Sequence, residues 1–232
     1  MKTNQIFLKG VTMKKFSIAV IGILVLLVSG SCFGYSDEGV QWWTAATASF
    51  DVAEDWSGKL SQEFRLGDDG GNLYYEHTDL AFTYTGLTEG IDAGVGFRLI
   101  YEKNSSDDYK RENRPHFNVT FKGKLFDWSV SDRNMFEYRD KDNKEDVWRY
   151  RNKVTIKFPV ELTALKIKPY IADEIFLTMN DDKVDRNRLY FGGSVGITEN
   201  LSADLFYMWQ SSNSGGKWLD LDVLGTYLKF KF

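Results

Sequence analysis

The sequence predicts an all-β protein, a transmembrane up-and-down antiparallel β-barrel of ten to twelve strands, because three observations agree. From Gln41 to Phe232, segments of about ten residues alternate apolar and polar side chains, and turn-rich stretches separate them. These segments show no sustained 3.6-residue periodicity of the kind that indicates a long helix. Aromatic residues make up 16% of the 232-residue chain and charged residues 27%, a combination suited to a lipid-facing surface around a polar interior.

The first 36 residues differ from the rest and have the features of a secretory signal peptide. Four lysines are their only charged residues, followed by an apolar run over 16–28 and then by small residues. The run is shorter than the ~20 residues of a membrane-spanning helix. We therefore predict a signal peptide over 1–36, cleaved near Gly34 or Ser36, and a barrel over 37–232. The predicted location is the outer membrane of a Gram-negative bacterium, after export through the inner membrane.

Charge and cysteine content exclude several classes of function. Removing the leader takes away four positive charges and no negative ones, so the net charge of −4 becomes −8. The only cysteine, Cys32, lies in the leader, which leaves the mature chain no thiol nucleophile and no thiolate metal ligand. An acidic protein with scattered basic residues is a poor candidate for binding nucleic acid. We expect no cofactor, no metal and no nucleic acid; the expected partners are outer-membrane lipids and the outer-membrane assembly machinery.

The alternation is clearest in the segment 147–158, where Trp148 and Val154 share one face and Arg149 lies on the other. Period-two alternation gives the two faces of a strand unlike environments. The predicted strands cover 41–52, 57–66, 73–84, 91–102, 113–122, 127–139, 147–158, 166–177, 186–197, 201–210 and 218–232. The alternation changes phase near Asp132, and we interpret this change as a β-bulge.

The number of predicted strands raises a problem of closure. Short turns at one rim and longer loops at the other indicate an up-and-down meander. Eleven segments are found, however, whereas bacterial single-chain barrels have an even number of strands. With Phe232 at the periplasmic rim, the strand 41–52 would run in the same direction as the last strand. We therefore expect either a further strand over 35–41, giving twelve, which we favour, or one false segment, giving ten.

Three features favour a membrane barrel over a soluble secreted one. Basic residues are stacked on the polar faces, as in Arg149 and Arg151. Aromatic residues concentrate near the strand ends on the apolar face, as in interfacial girdles. The chain ends on Phe232, with Phe230 and Leu228 at alternate preceding positions. We interpret Leu228, Phe230 and Phe232 as the membrane-assembly signal.

Residues along nearly the whole mature chain resemble a known family. They are Gln41-Trp42, Trp56 to Leu60 with Glu63 and Arg65, Arg114, Arg133 with Glu137 and Arg139, Trp148 to Arg151, Tyr170 with Glu174, and Arg188-Leu189. Their pattern is similar to the family called domain of unknown function 2490, a group of predicted outer-membrane barrels. The resemblance implies a fold and a location, and it implies no activity.

The polar faces are rich in charge, and we predict that they line the lumen. The predicted solute-facing residues are Arg65, Arg98, Arg114, Arg133, Glu137, Arg139, Arg149, Arg151, Glu174, Arg186 and Arg188. The planar fork of arginine binds carboxylates and phosphates, and rings of arginine select anions in pores. The sequence therefore predicts a narrow, porin-like channel for small anionic solutes.

Two alternatives stay open. In the first, the same residues form a buried ion-pair network inside a non-conducting structural barrel, with Glu63, Glu137 and Glu174 as the partners of the arginines. In the second, the protein is an outer-membrane lipid-modifying hydrolase that uses His77 or His116. No serine can be tied to either histidine by spacing, so we do not expect an enzyme.

Overall fold

A computed structural model describes residues 40–67, 70–142, 144–180 and 183–232, which form a closed β-barrel. The strands are β1 (Val40–Ala53), β2 (Trp56–Gly67), β3 (Asn72–Thr88), β4 (Ile91–Lys103), β5 (Tyr109–Leu125), β6 (Trp128–Lys141), β7 (Val147–Lys157), β8 (Lys168–Thr178), β9 (Lys183–Gly196), β10 (Leu201–Ser214) and β11 (Lys217–Lys231). All eleven predicted segments are strands, with ends that differ by a few residues. No helix among the described residues is long and apolar enough to cross a membrane. The predicted signal peptide lies outside the described residues.

The barrel closes through one parallel pair. Every other neighbouring pair is antiparallel, but β1 runs parallel to β11, from Val40 opposite Asp222 to Ser49 opposite Lys231. Each connection reverses the chain, so the first and last of eleven strands point in the same direction and can pair only in parallel. The expectation that twelve or ten strands are needed was therefore wrong: the described residues close a barrel with eleven.

The two rims differ in their connections. We call the rim at which β1 begins the N-terminal rim and the rim at which β11 ends the C-terminal rim. Two-residue turns follow β1, β3 and β5 at the C-terminal rim, and connections of four or five residues follow β2, β4, β6 and β8 at the N-terminal rim. The division is not complete, because the β7–β8 connection is long and the β10–β11 turn consists of Gly215 and Gly216.

The β-bulge predicted near Asp132 is wrong. β6 keeps a single register with β5 and another with β7 along its whole length. The alternation of apolar and polar residues changes phase because the apolar Met135 is buried inside the barrel, whereas the polar Asp132 and Asn134 face outward. Asn152 on β7 donates hydrogen bonds to Asp132 Oδ1 at 2.5 Å and to Asn134 Oδ1 at 3.2 Å. The polar side chains on this outer face therefore satisfy one another across strands, as cross-strand pairs do.

Part of the interior is filled by apolar side chains. The main cluster consists of Trp43, Ala172, Tyr190, Phe206, Met208 and Val223. The ring of Phe206 packs directly on the backbone of β11, because a Cβ at Gly225 would lie 1.9 Å from Phe206 Cζ. Glycine inside a strand often marks such a close approach. The sheet is therefore lined on its inner side by aromatic rings near the closure of β1 and β11.

Aromatic residues mark both rims of the outer surface. Trp42 and Trp148 near the N-terminal rim are 44% and 46% exposed, and Trp56 and Trp128 near the C-terminal rim are 42% and 40% exposed. Neighbouring rings contact one another, as Trp128 does Phe158, with centroids 5.2 Å apart. Two aromatic bands on the outside of a barrel are the arrangement expected at two membrane interfaces.

The last strand has the two faces that its alternation predicts. Tyr227 points into the barrel, where its hydroxyl donates a hydrogen bond to Glu63 Oε2 at 2.9 Å. Because successive side chains point to opposite faces, Leu228 and Phe230 lie on the outer face. Phe232 is 56% exposed, and its amide donates a hydrogen bond to the carbonyl oxygen of Ser49 at 2.9 Å.

Candidate functional site

The barrel interior brings together all of the residues predicted to face the lumen. Ten of them line one cavity of about 210 Å³. They are Arg65, Arg98, Arg114, Arg133, Arg139, Arg149, Arg151, Glu174, Arg186 and Arg188. Glu137, the eleventh, is fully buried among the arginines. The candidate site is therefore built from side chains of β2 and β4 to β9, all on the inner face of the sheet.

Glu137 on β6 is surrounded by four guanidinium groups. Its carboxylate accepts hydrogen bonds from Arg149 Nε at 2.8 Å and from Arg151 Nη1 at 2.7 Å. The Nη1 atoms of Arg98 and Arg114 lie 3.9 Å and 3.8 Å from Glu137 Oε1. A buried carboxylate needs such partners because desolvation of an ion costs several kcal/mol.

Glu174 on β8 is a second centre of the network. Its Oε1 atom accepts hydrogen bonds from Arg151 Nη2 at 2.6 Å and from Arg133 Nη2 at 2.9 Å. Its Oε2 atom lies 3.8 Å from Arg188 Nη1. Since Arg151 also bonds to Glu137, one guanidinium joins the two buried carboxylates.

Glu112 on β5 extends the network towards the N-terminal rim. Its Oε1 atom accepts hydrogen bonds from Arg114 Nη2 at 2.6 Å and from Arg139 Nε at 2.8 Å. Arg139 Nη2 donates to Glu112 Oε2 at 2.9 Å, so Arg139 binds both carboxylate oxygens in the bidentate geometry that fixes an arginine best. Because Arg114 also approaches Glu137, ion pairs continue from the rim to the middle of the barrel.

Aromatic rings hold several of the guanidiniums in place. The Cζ atoms of Arg149, Arg151, Arg186 and Arg188 lie 5.1, 4.6, 5.6 and 4.7 Å from the ring centroid of Phe176. Cations within about 6 Å of an aromatic face are attracted by the ring quadrupole. Phe176 is 1% exposed, so these four arginines screen it from solvent.

Arg65 lies between two further rings. Its Cζ atom is 3.6 Å from the ring centroid of Trp43 and 3.9 Å from that of Tyr75. Arg65 Nε also donates a hydrogen bond to Glu63 Oε1 at 2.7 Å. Stacking on both faces and a carboxylate at the edge leave this guanidinium little freedom to move.

The cavity wall carries more positive than negative charge. Eleven basic side chains line it against four acidic ones, and Glu112 and Glu137 behind the wall leave a surplus of five positive charges. The four acidic residues are Glu63, Asp79, Glu102 and Glu174. Because charges interact more strongly in a protein interior than in water, this surplus favours an anion in the cavity.

Three of the basic side chains form no ion pair with any described residue. They are Lys59, Lys153 and Arg186, which all line the cavity. Lys153 Nζ lies 3.7 Å from the ring centroid of Tyr190, and Arg186 Cζ lies 5.6 Å from that of Phe176. An anion in the cavity can therefore engage their N–H donors without breaking an existing ion pair.

Several interior residues were not among the predicted solute-facing set. Lys59 and Lys153 line the cavity, and Phe176 is buried against four of the arginines that line it. The alternation contained the signal for two of them, since Lys153 is two residues from Arg151 and Phe176 is two residues from Glu174. An aromatic residue at such a position is easily assigned to the outer face, because aromatic residues also occupy the membrane-facing side of barrels.

Both histidines face carboxylates. His116 Nε2 lies 3.2 Å from Asp79 Oδ2, which also accepts a hydrogen bond from Arg98 Nε at 2.7 Å. His77 Nδ1 lies 3.7 Å from Glu63 Oε1. Within the described ranges, no serine or threonine hydroxyl is hydrogen-bonded to either histidine. The described side chains therefore do not form the hydroxyl–histidine pair that nucleophilic hydrolysis uses.

Among the described residues, no group of three His, Cys, Asp or Glu side chains is placed to hold a metal ion.

Comparison with known proteins assigns the chain to one family. No curated protein matches the sequence. The family model described as protein of unknown function (DUF2490) matches residues 40–220, which is most of the chain and includes the ion-pair network. The protein therefore belongs to the DUF2490 family.

Proposed function

We propose that this protein is an outer-membrane β-barrel whose lumen is a narrow channel for small anionic solutes. The observation that carries the proposal is the surplus of five positive charges around the interior cavity. A lumen that served only to fill the barrel would be expected to balance its charges, because each unbalanced buried ion is costly.

The dimensions and surface of the barrel support a membrane location. Every strand has at least eleven residues, and ~9–11 residues suffice for a tilted strand to cross a bilayer. Aromatic bands lie near both rims, and the outer face between them includes Leu80, Val95, Phe97 and Leu205, each more than two fifths exposed. Exposed apolar side chains in this number are stabilised by lipid and disfavoured by water. The predicted signal peptide would bring the chain to that membrane.

The cavity also limits the class of solute. Its volume of about 210 Å³ admits a small organic anion rather than a polymer. Arginine binds carboxylate and phosphate groups through two parallel N–H bonds, and Lys59, Lys153 and Arg186 supply donors that are free of ion pairs. We therefore expect small carboxylates or phosphates to be the preferred solutes.

A non-conducting structural barrel is the second candidate, and one observation favours it. Glu137 is fully buried, and the arginines around it join three carboxylates in one network. Such a network can occupy the cross-section of a narrow lumen and prevent the passage of ions. A hydrolase is not part of the proposal, because within the described ranges neither histidine is hydrogen-bonded to a serine or threonine hydroxyl that could act as a nucleophile.

Planar-bilayer recording separates the two candidates. The refolded protein is expected to give stepwise currents whose reversal potential in a potassium chloride gradient shows preference for chloride. Lys153→Gln combined with Arg186→Gln should reduce this preference, because it removes two unpaired cations and leaves the ion-pair network intact. Lys166→Gln combined with Lys217→Gln removes two exposed lysines and should leave the preference unchanged. A barrel that inserts but carries no current would refute the channel and support the structural role.

A further inference from the structure

We infer that a second, basic cavity at the N-terminal rim binds a phosphate monoester group. This cavity has a volume of about 320 Å³ and lies between the β4–β5 and β6–β7 connections. Its basic wall residues are Lys103, Lys110, Arg111, Arg139, Lys141 and Lys144, against the acidic Glu102, Glu112 and Asp142. Of the basic residues, only Arg139 belongs to the predicted lumen set.

Most of these basic side chains are already matched by carboxylates. Arg139 is held by Glu112, with Nε 2.8 Å from Oε1, and Arg111 Nη2 lies 3.5 Å from Asp142 Oδ1. In the β4–β5 connection, Lys103 Nζ lies 2.8 Å from Asp107 Oδ1, and Lys110 Nζ lies 4.0 Å from Asp108 Oδ2. Among the carboxylates near the cavity, Asp107, Asp108, Asp142 and Glu112 are thereby engaged by these four cations, whereas Glu102 takes part in none of these ion pairs.

Lys141 and Lys144 remain without an ion pair to any described residue. They belong to one turn, since the amide of Lys144 donates a hydrogen bond to the carbonyl oxygen of Lys141 at 3.4 Å. Both line the cavity, so two ammonium groups reach it from one side. A phosphate monoester carries a charge of about −1.5 to −2 at neutral pH, and the two lysines can pair with it without giving up an existing ion pair. Lysine is a regular phosphate ligand in proteins because it acts as a compact point charge.

The rim cavity adjoins the lumen. Glu102 and Arg139 line both the rim cavity and the 210 Å³ interior cavity. An oxyanion held by the two lysines would therefore lie beside Arg139, where its oxygens compete with Glu112 for the guanidinium. This part of the inference rests on the channel proposed above. In that channel, the rim cavity is the first site that binds an entering phosphorylated solute.

Isothermal titration calorimetry of the refolded protein in an uncharged maltoside detergent tests the site. The two probes are inorganic phosphate and short-chain phosphatidic acid, which carry the same group as a free ion and as a lipid. Lys141→Gln combined with Lys144→Gln should weaken binding about tenfold or more, which corresponds to the loss of both unpaired charges. The control Lys183→Gln combined with Lys217→Gln removes two exposed lysines of the same rim and should leave the affinity within about twofold.

Each outcome decides the inference. Binding of inorganic phosphate that depends on Lys141 and Lys144 supports a site for soluble phosphorylated solutes; binding of phosphatidic acid alone supports a lipid-headgroup site. The inference is overturned if neither probe binds, or if the variant and the control weaken the affinity for the probe equally. The channel is tested separately. An electrically silent barrel that still binds phosphate refutes conduction and retains the rim site. A conducting barrel that binds neither probe refutes the rim site and retains the channel.

Discussion

Replacing Glu137 by glutamine is expected to destabilise the folded barrel severely. The carboxylate is fully buried and accepts hydrogen bonds from Arg149 and Arg151. Glutamine has nearly the same shape, so the exchange removes the negative charge without creating a cavity. Its amide group would also turn an N–H donor towards one of the guanidiniums, which can only donate.

The size of the effect follows from the number of cations around this carboxylate. Removing one partner of a buried ion pair costs ~3–5 kcal/mol, because the remaining charge is left buried and uncompensated. Here two bonded arginines, together with Arg98 and Arg114 within 4 Å, lose their common counter-ion. We therefore expect Glu137→Gln to lower the free energy of unfolding by an amount in the upper part of that range, about 4–5 kcal/mol.

The free energy of unfolding is measured by urea titration of the refolded protein in detergent micelles, followed by tryptophan fluorescence. Asp108→Asn is the control, because Asp108 is exposed and its carboxylate lies 4.0 Å from Lys110 Nζ. This surface exchange should cost less than about 1 kcal/mol. A loss from Glu137→Gln as small as that of the control would refute the reasoning, since it would show that the arginines do not depend on this carboxylate.

Two further exchanges test the packing of the barrel and its assembly. Gly225→Val should displace the Phe206 ring and destabilise the barrel by an amount at the top of the ~1–3 kcal/mol range of overpacking, which is measured as a lower urea midpoint. Gly123→Val is the control. A Cβ at Gly123 meets nothing within 4 Å, so this exchange should be tolerated far better. Phe232→Ala should lower the amount of protein in the outer-membrane fraction, while the purified chain should still refold. Phe126→Ala is the control, because the side chain of Phe126 is 89% exposed. An equal decrease in both variants would argue against an assembly signal.

The strand pattern could be predicted because it depends on local alternation. The segment 147–158 was predicted as a strand and β7 spans Val147–Lys157, since a strand with arginines on one face and apolar residues on the other can present its two faces in only one way. The inward positions of Arg149 and Arg151 follow from the same alternation.

The strand β6 shows where local alternation is insufficient. Asp132 and Asn134 are polar residues on the outer face, and the sequence of β6 alone suggests a bulge there. Their position is stabilised by Asn152, which lies on β7 and reaches both of them. A hydrogen bond between strands cannot be read from either strand alone, because it depends on which residues the register places opposite one another.

The sequence by itself determined the faces of most strands, the enrichment of the interior in arginine and the outward row that ends at Phe232, because a period of two residues needs no information from elsewhere in the chain. Only the tertiary structure decided that β1 closes on β11 in parallel, since closure depends on the direction of strands at opposite ends of the chain. It also decided which arginines share Glu137, because these come from β4, β5 and β7 and meet β6 only inside the closed barrel. The charge surplus of the cavity and the two unpaired lysines of the rim have the same origin: they are set by which carboxylates the folded chain brings within reach of each cation.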